Sequence, residues 1–199
     1  IFPVIVKPTY EHCGIGISQD SVVENTKELS ILIDEYLGRF SQPVLVEEYI
    51  AGRELSISVM ERKNKPWVLP VVEVTFSKEG GNRPIFTYNA KWNESTEEFK
   101  GTDSQLAVLN DEIEDKIMRY VKIIYTKMGG IDYPRVDIRL RGDEVYILEL
   151  NNNPEICFGF PGPLRVATEG AGLTFLEFLK VVIGNAIYRQ KAGREFVTL

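Results

Sequence analysis

The amino-acid sequence predicts an α+β fold. Segments rich in β-branched and aromatic residues recur along the chain, and three longer segments carry apolar residues at the spacing of an amphipathic helix. The predicted strands come in runs between these helices, in the order β, α, βββ, α, ββ, α. Runs of strands followed by helices are the arrangement of α+β proteins.

The first part of the chain predicts a strand, a loop and a helix. Residues 1–6 are almost all apolar and predict a strand, and a loop with two glycines follows over 9–19. Ser21 and Glu24 have the spacing of a helix capping box. The sequence therefore predicts a helix that opens at Ser21 and ends near Gly38.

The middle of the chain predicts further strands and a polar loop. Apolar runs indicate strands over residues 44–49, 54–60, 67–75 and, for a short one, 85–88. The polar residues 89–100 predict a loop.

The last part predicts two helices on either side of a β-hairpin. In order, it predicts a helix over 111–128, strands over 134–140 and 144–151, a loop over 154–163 and a helix over 174–191.

The composition is that of an ordinary soluble globular protein. Of the 199 residues 44% are apolar and 26% are charged, and the net charge of −6 weighs against nucleic acid as a partner. No segment approaches the roughly 20 consecutive apolar residues of a membrane span. Two cysteines are too few for a disulfide framework, so we expect a reducing, cytoplasmic location. The chain begins inside a predicted strand, and we expect it to be part of a longer protein.

The predicted hairpin is the first candidate for a functional site. Side chains alternate between the faces of a strand, which predicts one shared face in each strand: Arg135, Asp137 and Arg139 in the first, and Val145, Ile147, Glu149 and Asn151 in the second. A three-residue loop over 142–144 places Asp137 opposite Glu149. It also places Arg135 opposite Asn151. A two-residue turn would send the two acids to opposite faces.

Two carboxylates and an amide oxygen on one face suit a magnesium ion. Asp137, Glu149 and Asn151 are hard oxygen ligands, which Mg²⁺ takes while it keeps waters and substrate phosphates. The alternative is an exposed strand whose acids pair with Arg135 or Arg139 in water.

A site for Mg²⁺ and phosphates needs partners elsewhere in the chain. Lys7 follows an apolar strand and precedes the glycine-containing loop, so its ammonium group can reach a phosphate oxygen. A lysine at a strand end in plain solvent is the alternative. The strand over 44–49 ends in Glu47 and Glu48, and Glu47 and Glu54 can accept hydrogen bonds from an amine or a ribose hydroxyl.

Six segments in order resemble the ATP-grasp ligases, most closely the D-alanine–D-alanine ligase branch. They are Phe2-Pro-Val-Ile-Val-Lys7-Pro, Gly16-Ile-Ser, Val44-Leu-Val-Glu-Glu-Tyr-Ile-Ala-Gly-Arg-Glu54, Tyr88-Asn-Ala-Lys91, Arg135-Val-Asp137 and Leu148-Glu149-Leu-Asn151-x-x-Pro154. The resemblance implies an ATP-grasp fold, with two α+β lobes of antiparallel sheets that grip ATP between them. Residues 1–50 would form part of the first lobe with the phosphate-covering loop. Residues 51–199 would form the second lobe with the metal and acceptor sites, and the family's N-terminal domain would lie outside this chain.

The resemblance also implies a role for each matching residue. ATP would be bound by Lys7, Glu47, Glu48, Ile50, Glu54 and Lys91, and Mg²⁺ (or Mn²⁺ in its place) by Asp137, Glu149 and Asn151. Arg135 and Lys91 are the implied catalytic residues. Arg135 matches the arginine that steadies the acyl phosphate and the tetrahedral intermediate, and Lys91 matches a lysine on the phosphates.

The implied activity is ATP-dependent joining of a carboxylate to an amine through an acyl phosphate. The implied partners are ATP, small carboxylate and amine substrates and the N-terminal domain of the same protein. The oligomeric state stays open, a homo-oligomer included. Two alternatives are a degenerate ATP-binding module with a regulatory role, and an ATP-grasp carboxylase or carboxylate–thiol ligase.

Two stretches depart from the dipeptide ligases and point to a different substrate. Where the family has a Gly-Ser-Ser-type loop, this chain has Glu11 followed by His12, Cys13 and Gly14. Glu155 follows the conserved-type proline position, and Phe160 stands where the family has a serine near the acceptor's carboxylate. We therefore assign these residues to the substrate sites and expect an acceptor other than D-alanine. A Cys–His nucleophile formed by His12 and Cys13 is an alternative to a plain solvent-exposed loop.

Overall fold

A computed structural model describes residues 1–62, 65–77, 81–156 and 162–191. The chain divides into two compact units. The first contains Ile1–Gly52 and Thr75–Asp103, and the second contains Arg53–Val74 and the residues from Ser104 onward. The division into functional lobes at residues 50 and 51 stays a prediction.

The first unit is built on a three-stranded antiparallel sheet. Its strands are β1 (Val4–Pro8), β2 (Val22–Val23) and β3 (Val44–Glu48), with β1 in the centre. Val4 and Val6 are buried against helix α1 (Thr26–Phe40). Because side chains alternate along a strand, Ile5 and Lys7 lie on the other face.

Helix α1 begins later than the sequence predicts. Asn25 is the N-cap residue, and its Oδ1 accepts the backbone N–H of Glu28 at 3.0 Å. The Glu28 carboxylate accepts the backbone N–H of Glu24 at 2.8 Å. The predicted start at Ser21 is wrong because Val22–Val23 are buried and pair with β1, while Asn25 and Glu28 supply the capping spacing three residues apart.

Two short helices occupy most of the predicted loop over 89–100. Helix α2 (Tyr88–Trp92) and helix α3 (Glu97–Lys100) each follow a threonine whose hydroxyl accepts a helix N–H. These caps are Thr87 and Thr96, at 3.0 and 3.2 Å. The predicted strand over 85–88 is also wrong, since its last residue begins α2. The polar composition hid both helices, because local capping and not an apolar stripe defines them.

The second unit contains a larger antiparallel sheet. Its described strands are β4 (Arg53–Arg62), β5 (Lys65–Val68), β6 (Val72–Phe76), β7 (Thr102–Leu106), β8 (Arg135–Arg141) and β9 (Glu144–Asn151). The order is β7-β6-β4-β8-β9, and β5 also pairs with β4. The predicted strand over 67–75 is therefore two strands, β5 and β6, and β7 was not predicted. The chain passes between the units along β6 and β7.

Helices cover parts of both faces of this sheet. Helix α4 (Asp111–Lys127) packs through Ile117 and Val121 on one face, against the alternate residues Leu55, Ile57 and Val59 of β4. The helical segment predicted over 111–128 is confirmed.

Two helices follow β9 and pack near the other end of β4. They are α5 (Pro163–Gly170), which was not predicted, and α6 (Phe175–Lys191), which was. Leu164 and Phe178 from these helices form a second core with Met60. No single helix among the described residues is long and apolar enough to cross a membrane; α5 and α6 pass that test only when joined across their 95° bend.

The β8–β9 hairpin keeps its predicted register through a bulge. The turn has two residues, Gly142-Asp143, since Arg141 pairs with Glu144, and the predicted three-residue loop is wrong. A register shift leaves Leu148 unpaired in β9. The extra residue restores the predicted pairs, Asp137 with Glu149 and Arg135 with Asn151.

The bulge also splits a face that the sequence treated as continuous. Val145 and Ile147 pair with Leu140 and Ile138 of the α4-facing side, whereas Glu149 pairs with Asp137 on the other side. The prediction that Val145, Ile147, Glu149 and Asn151 share one face is therefore wrong. The two classes of element and the antiparallel sheets confirm the predicted α+β class.

Candidate functional site

One face of the second unit's sheet is polar along three neighbouring strands. It carries Glu54, Ser56 and Ser58 of β4, Arg135, Asp137 and Arg139 of β8, and Glu149 and Asn151 of β9. The residues between them along β4 and β8 are apolar and pack toward α4. Strand alternation thus gathers five predicted site residues, Glu54, Arg135, Asp137, Glu149 and Asn151, on one surface.

Asp137 is held by hydrogen bonds to both of its carboxylate oxygens. Ser56 Oγ donates to Oδ1 at 2.9 Å. Arg135 donates from Nε to Oδ1 at 2.8 Å and from Nη2 to Oδ2 at 2.7 Å. This bidentate pair fixes the carboxylate in a single orientation facing β9.

The predicted magnesium ligands fit a divalent cation in their chemistry. Asp137 and Glu149 are directly paired across the hairpin, and Asn151 lies two residues further along β9. Asn151 Oδ1 accepts the backbone N–H of Asn153 at 3.0 Å, which orients the amide. The described residues contain no group of three His, Cys, Asp or Glu side chains that could hold a metal ion. Two carboxylates and one amide suit a cation that keeps water and phosphate oxygens among its ligands.

Arg135 keeps a firm positive charge at this site. Burial of the guanidinium disfavours its charged form and is the largest single effect. The carboxylates of Asp137, Glu149 and Glu54 together outweigh it and raise the pKa of Arg135 above its ordinary value. Arg135 can therefore act as a permanent cation toward developing negative charge.

Glu54 forms a buried ion pair with Arg139. Arg139 Nη2 lies 2.8 Å from Glu54 Oε2, and the two residues face each other across β4 and β8. The Arg139 side chain is only 6% exposed and that of Glu54 12%. The predicted ribose-binding carboxylate is thus held by an arginine that the sequence did not assign to the site.

In the first unit, Lys7 and Glu47 are brought together. Lys7 Nζ lies 2.6 Å from Glu47 Oε2, diagonally across β1 and β3. Glu48 is exposed and Ile50 is buried. The structure therefore pairs two of the predicted ATP-binding residues directly, and a phosphate on Lys7 would have to compete with the Glu47 carboxylate.

The loop after β1 packs on helix α2. Trp92 Nε1 donates to the carbonyl oxygen of Cys13 at 2.8 Å. Gly14 has a φ of +79°, and a Cβ there would lie 3.4 Å from Lys91 Cδ. Lys91 Nζ lies 4.5 Å from the centre of the Phe86 ring, a cation–π contact. Two of the predicted substrate residues, Cys13 and Gly14, are therefore neighbours of the predicted phosphate-binding lysine.

The His12 and Cys13 side chains are exposed. Cys13 is a free thiol. Within the described residues no hydrogen bond joins the His12 imidazole to Cys13 Sγ. The geometry gives no support to the alternative of a Cys–His nucleophile.

Only part of the predicted acceptor loop is described. Glu155 is exposed, and Phe160 lies outside the described residues. Asn153 Oδ1 accepts the Tyr133 hydroxyl at 2.9 Å. The loop is thus fixed at its start by Asn153, two residues before Glu155.

Sequence reasoning missed four residues of these surfaces. Ser56, Ser58 and Arg139 lie on the polar face of the second unit, and Trp92 closes on the loop of the first. The strict alternation of polar and apolar residues over 54–59 was the signal for the two serines. No comparable signal marked Trp92, because its partner is a backbone carbonyl far away in the sequence.

Comparison with solved structures identifies the fold. The chain superposes on the D-alanine–D-alanine ligase of Bacillus anthracis complexed with ATP with a TM-score of 0.73 at 21% identity, covering 96% of this chain and 55% of that one. The VanG D-Ala:D-Ser ligase of Enterococcus faecalis gives 0.66 at 26% identity, covering 92% and 49%. The architecture is therefore that of the ATP-grasp enzymes, as predicted.

Sequence comparison identifies the family. The model of the D-ala D-ala ligase C-terminus family matches residues 1–183. The D-alanine–D-alanine ligase of Petrotoga mobilis is 30% identical over 190 residues, which is 94% of this chain and 58% of that protein. The chain belongs to the D-ala D-ala ligase C-terminus family, which confirms the predicted resemblance, and it spans little more than half the length of the curated relative it matches.

Proposed function

We propose that the full-length protein is an ATP-dependent ligase that joins a carboxylate to an amine through an acyl phosphate. The observation that carries the proposal is the polar face on which Arg135, Asp137, Glu149 and Asn151 lie in register. The names of the relatives, D-alanine–D-alanine ligases, support the same class of reaction.

The reaction requires activation, because joining a carboxylate to an amine in water is uphill. A carboxylate oxygen attacks the γ-phosphorus of ATP, ADP leaves, and an acyl phosphate forms. The amine nitrogen then attacks the carbonyl carbon, loses a proton and expels inorganic phosphate. Positioning and charge neutralisation are what a protein contributes to phosphoryl transfer.

Each polar residue of the second unit has a role in this scheme. Asp137, Glu149 and Asn151 would hold Mg²⁺, which when bound neutralises negative charge on the ATP phosphates. Arg135, buried and permanently charged, stabilises the oxyanion that develops at the carbonyl centre. Mn²⁺ can take the place of Mg²⁺, since both accept oxygen ligands.

The nucleotide-binding roles follow the family resemblance. Lys7 and Lys91 are assigned to the phosphates of ATP, and Glu47, Glu48 and Ile50 to the adenine. Glu54 is assigned to the ribose, and its ion pair with Arg139 supports a fixed carboxylate there. The Lys7–Glu47 pair keeps the lysine extended along its strand face until phosphate exchanges for the carboxylate.

We also propose that the acceptor is not D-alanine. His12, Cys13 and Gly14 replace the serine-containing loop of the dipeptide ligases, and Glu155 and Phe160 stand in the acceptor loop. An anionic side chain and a bulky ring favour a different amine or a larger apolar acceptor. The solved D-Ala:D-Ser ligase supports the idea that acceptors vary among similar proteins. We expect the whole protein to work in the cytoplasm, where ATP is available, with an N-terminal domain completing the donor site.

The test uses the full-length protein with ATP, MgCl₂ and a panel of carboxylic acids and amino acids in pairs. We expect phosphate release that depends on both members of one pair, and a product whose mass is their sum less one water. Phosphate release without such a product, or a product that is a carboxylated acid or thioester, would replace this function with one of the alternatives. ATP binding without turnover over the panel would indicate a regulatory module.

A further inference from the structure

An unpaired hydroxyl lies beside the arginine of the proposed site. Ser58 Oγ is buried, and among the described residues it has no hydrogen-bond partner. Ser58 is 1% exposed, so water does not reach the group. A buried hydroxyl that makes no hydrogen bond is costly, and native proteins retain few such groups.

The nearest charged neighbour of Ser58 across the sheet is Arg135. The two residues are direct partners in the β4–β8 register and therefore point to the same face. Directly opposed side chains have their Cβ atoms about 5 Å apart, which is within the reach of an arginine. The guanidinium is turned away from Ser58 in the structure, because its Nε and Nη2 both donate to Asp137.

Asp137 has two demands on the same oxygens. Arg135 binds both of them, and a divalent cation would need at least one. A guanidinium and a divalent cation repel each other, so a cation bound to Asp137 displaces Arg135 from at least one oxygen. The displaced N–H group then needs an acceptor inside the protein.

We propose that Ser58 is a positioning residue that accepts Arg135 when a divalent cation takes its place on Asp137. The hydroxyl is unpaired while Arg135 is bidentate on Asp137, and it becomes paired when the guanidinium turns toward β4. Ser58 thereby favours the cation-bound state twice, by destabilising the first arrangement and stabilising the second. The inference rests on the proposed function, since it needs Asp137 to be a metal ligand.

The test compares variants of the full-length protein in Mg²⁺ binding at saturating AMPPNP, an ATP analogue that is not hydrolysed, and in thermal unfolding in EDTA. Ser58→Ala is expected to leave the melting temperature in EDTA unchanged or higher, and to weaken Mg²⁺ binding about tenfold, the loss of one hydrogen bond to a charged group. Ser58→Thr, which keeps a hydroxyl, is expected to bind Mg²⁺ like the wild type. Thr168→Val is the matched control: Thr168 is a buried hydroxyl in α5 bonded to the Leu164 carbonyl, and its loss should lower the melting temperature without changing Mg²⁺ affinity.

A double-mutant cycle with Arg135→Ala separates the mechanism from a general packing effect. In that background Ser58→Ala should have no effect on Mg²⁺ binding, because there is no guanidinium to accept. Equal Mg²⁺ affinity of Ser58→Ala and the wild type would overturn the inference. So would the same loss with and without Arg135.

The proposed function can fail separately. If Asp137→Asn abolishes Mg²⁺ binding while Ser58→Ala changes nothing, the metal site stands and the role of Ser58 does not. If the wild type shows no Mg²⁺-dependent binding of AMPPNP, both are wrong.

Discussion

Charged side chains of the candidate site are paired with one another. Arg135 is bidentate on Asp137, Arg139 holds Glu54, and in the other unit Lys7 contacts Glu47. The two arginine pairs are largely buried, whereas Lys7 and Glu47 are 28% and 43% exposed. Solvent screens the lysine pair, so its exchange for phosphate costs little. Exchange at Asp137 takes place in a site that excludes water, where each lost pair must be replaced.

Replacing Arg135 by alanine tests its catalytic assignment. We expect amide formation to fall by about 10² to 10³, the usual cost of one donor to an oxyanion, while most of the affinity for ATP is retained. The measurement is the single-turnover rate of product formation alongside equilibrium binding of ATP. Arg141→Ala is the matched control, since Arg141 lies at the exposed end of the same strand and pairs with Glu144. An unchanged rate of amide formation in Arg135→Ala would remove the assignment.

The Arg139–Glu54 pair predicts a large effect on stability. Arg139→Met leaves the Glu54 carboxylate buried without its cation, which costs about 3 to 5 kcal/mol. Arg139→Met combined with Glu54→Leu removes both charges, and we expect the free energy of unfolding to recover most of that loss. Urea unfolding of the two variants measures it. Additive losses in the double variant would show that the two residues are not coupled.

At this scale the sequence predicted residues that carry a recognisable motif and missed those that act through packing. Asp137, Glu149 and Asn151 were placed on one face correctly, because strand alternation and the family pattern agree. Arg139 was considered only as a surface partner for acids, yet it is 5% exposed. The partner that buries it, Glu54, is more than 80 residues away, and sequence patterns do not reveal such a pairing.

At the scale of elements, the β9 bulge decides which residues face the site. The sequence predicted the right pair, Asp137 with Glu149, from the wrong turn, because a three-residue loop and a bulge have the same effect on register. Gly142 has a φ of +58°, which suits the observed two-residue turn. The position of a bulge depends on how both faces of the strand pack, so Leu148 could not be identified in advance.

Changing the length of β9 tests this account of the hairpin. Deleting Leu148 removes the bulged residue and leaves Glu149 opposite Asp137 in a regular ladder, so Mg²⁺-dependent binding of nucleotide should persist. Inserting one alanine between Leu148 and Glu149 sends the carboxylate to the α4-facing side, and binding should be lost. Calorimetric titration with Mg²⁺ and AMPPNP distinguishes the two. The opposite pattern of binding would contradict the register.

Helix α4 predicts a dependence of stability on alkaline pH. Burial, with a further contribution from the Glu61 carboxylate, raises the pKa of Tyr125 to about 12. The tyrosine is neutral when protonated, so the folded state keeps its proton between pH 10 and about 12 while the unfolded state loses it. Its contribution is fully present below pH 10 and is lost as pH rises toward 12, by at most about 2 to 3 kcal/mol.

Tyr125→Phe should remove that part of the alkaline loss, as measured by urea unfolding at pH 9 and pH 11. Tyr188→Phe, at an exposed position of α6, is the control and should keep the dependence of the wild type. An identical loss of stability in Tyr125→Phe and the wild type would show that this hydroxyl is not the titrating group.

The long helices were predictable and the short ones were not. Helices α4 and α6 carry apolar residues over about four turns, and this signal survives any tertiary context. Helices α2 and α3 have five and four residues, too few for a periodic pattern. Their caps, Thr87 and Thr96, are the only local evidence for them, and isolated threonines are common in loops.

At the scale of the molecule, this chain is one part of a ligase-like protein. Relatives extend well beyond the matched region, which covers 58% of the Petrotoga mobilis ligase. Family membership and the ATP-grasp fold are properties of the chain itself, and the sequence predicted both. The donor acid, the acceptor amine and the catalytic turnover belong to the whole protein and to loops such as the one containing Phe160, whose sequence departs from the dipeptide ligases.

The most direct test of the central claim follows oxygen from substrate to phosphate. The full-length protein is supplied with ATP, MgCl₂, the amine and a donor acid labelled with ¹⁸O in its carboxylate. An acyl-phosphate mechanism transfers one carboxylate oxygen to each phosphate released, so mass spectrometry should find one ¹⁸O per phosphate and one in the amide product. Phosphate that carries no ¹⁸O while product forms would contradict activation at the γ-phosphate, and with it the role given to the polar face of Arg135, Asp137, Glu149 and Asn151.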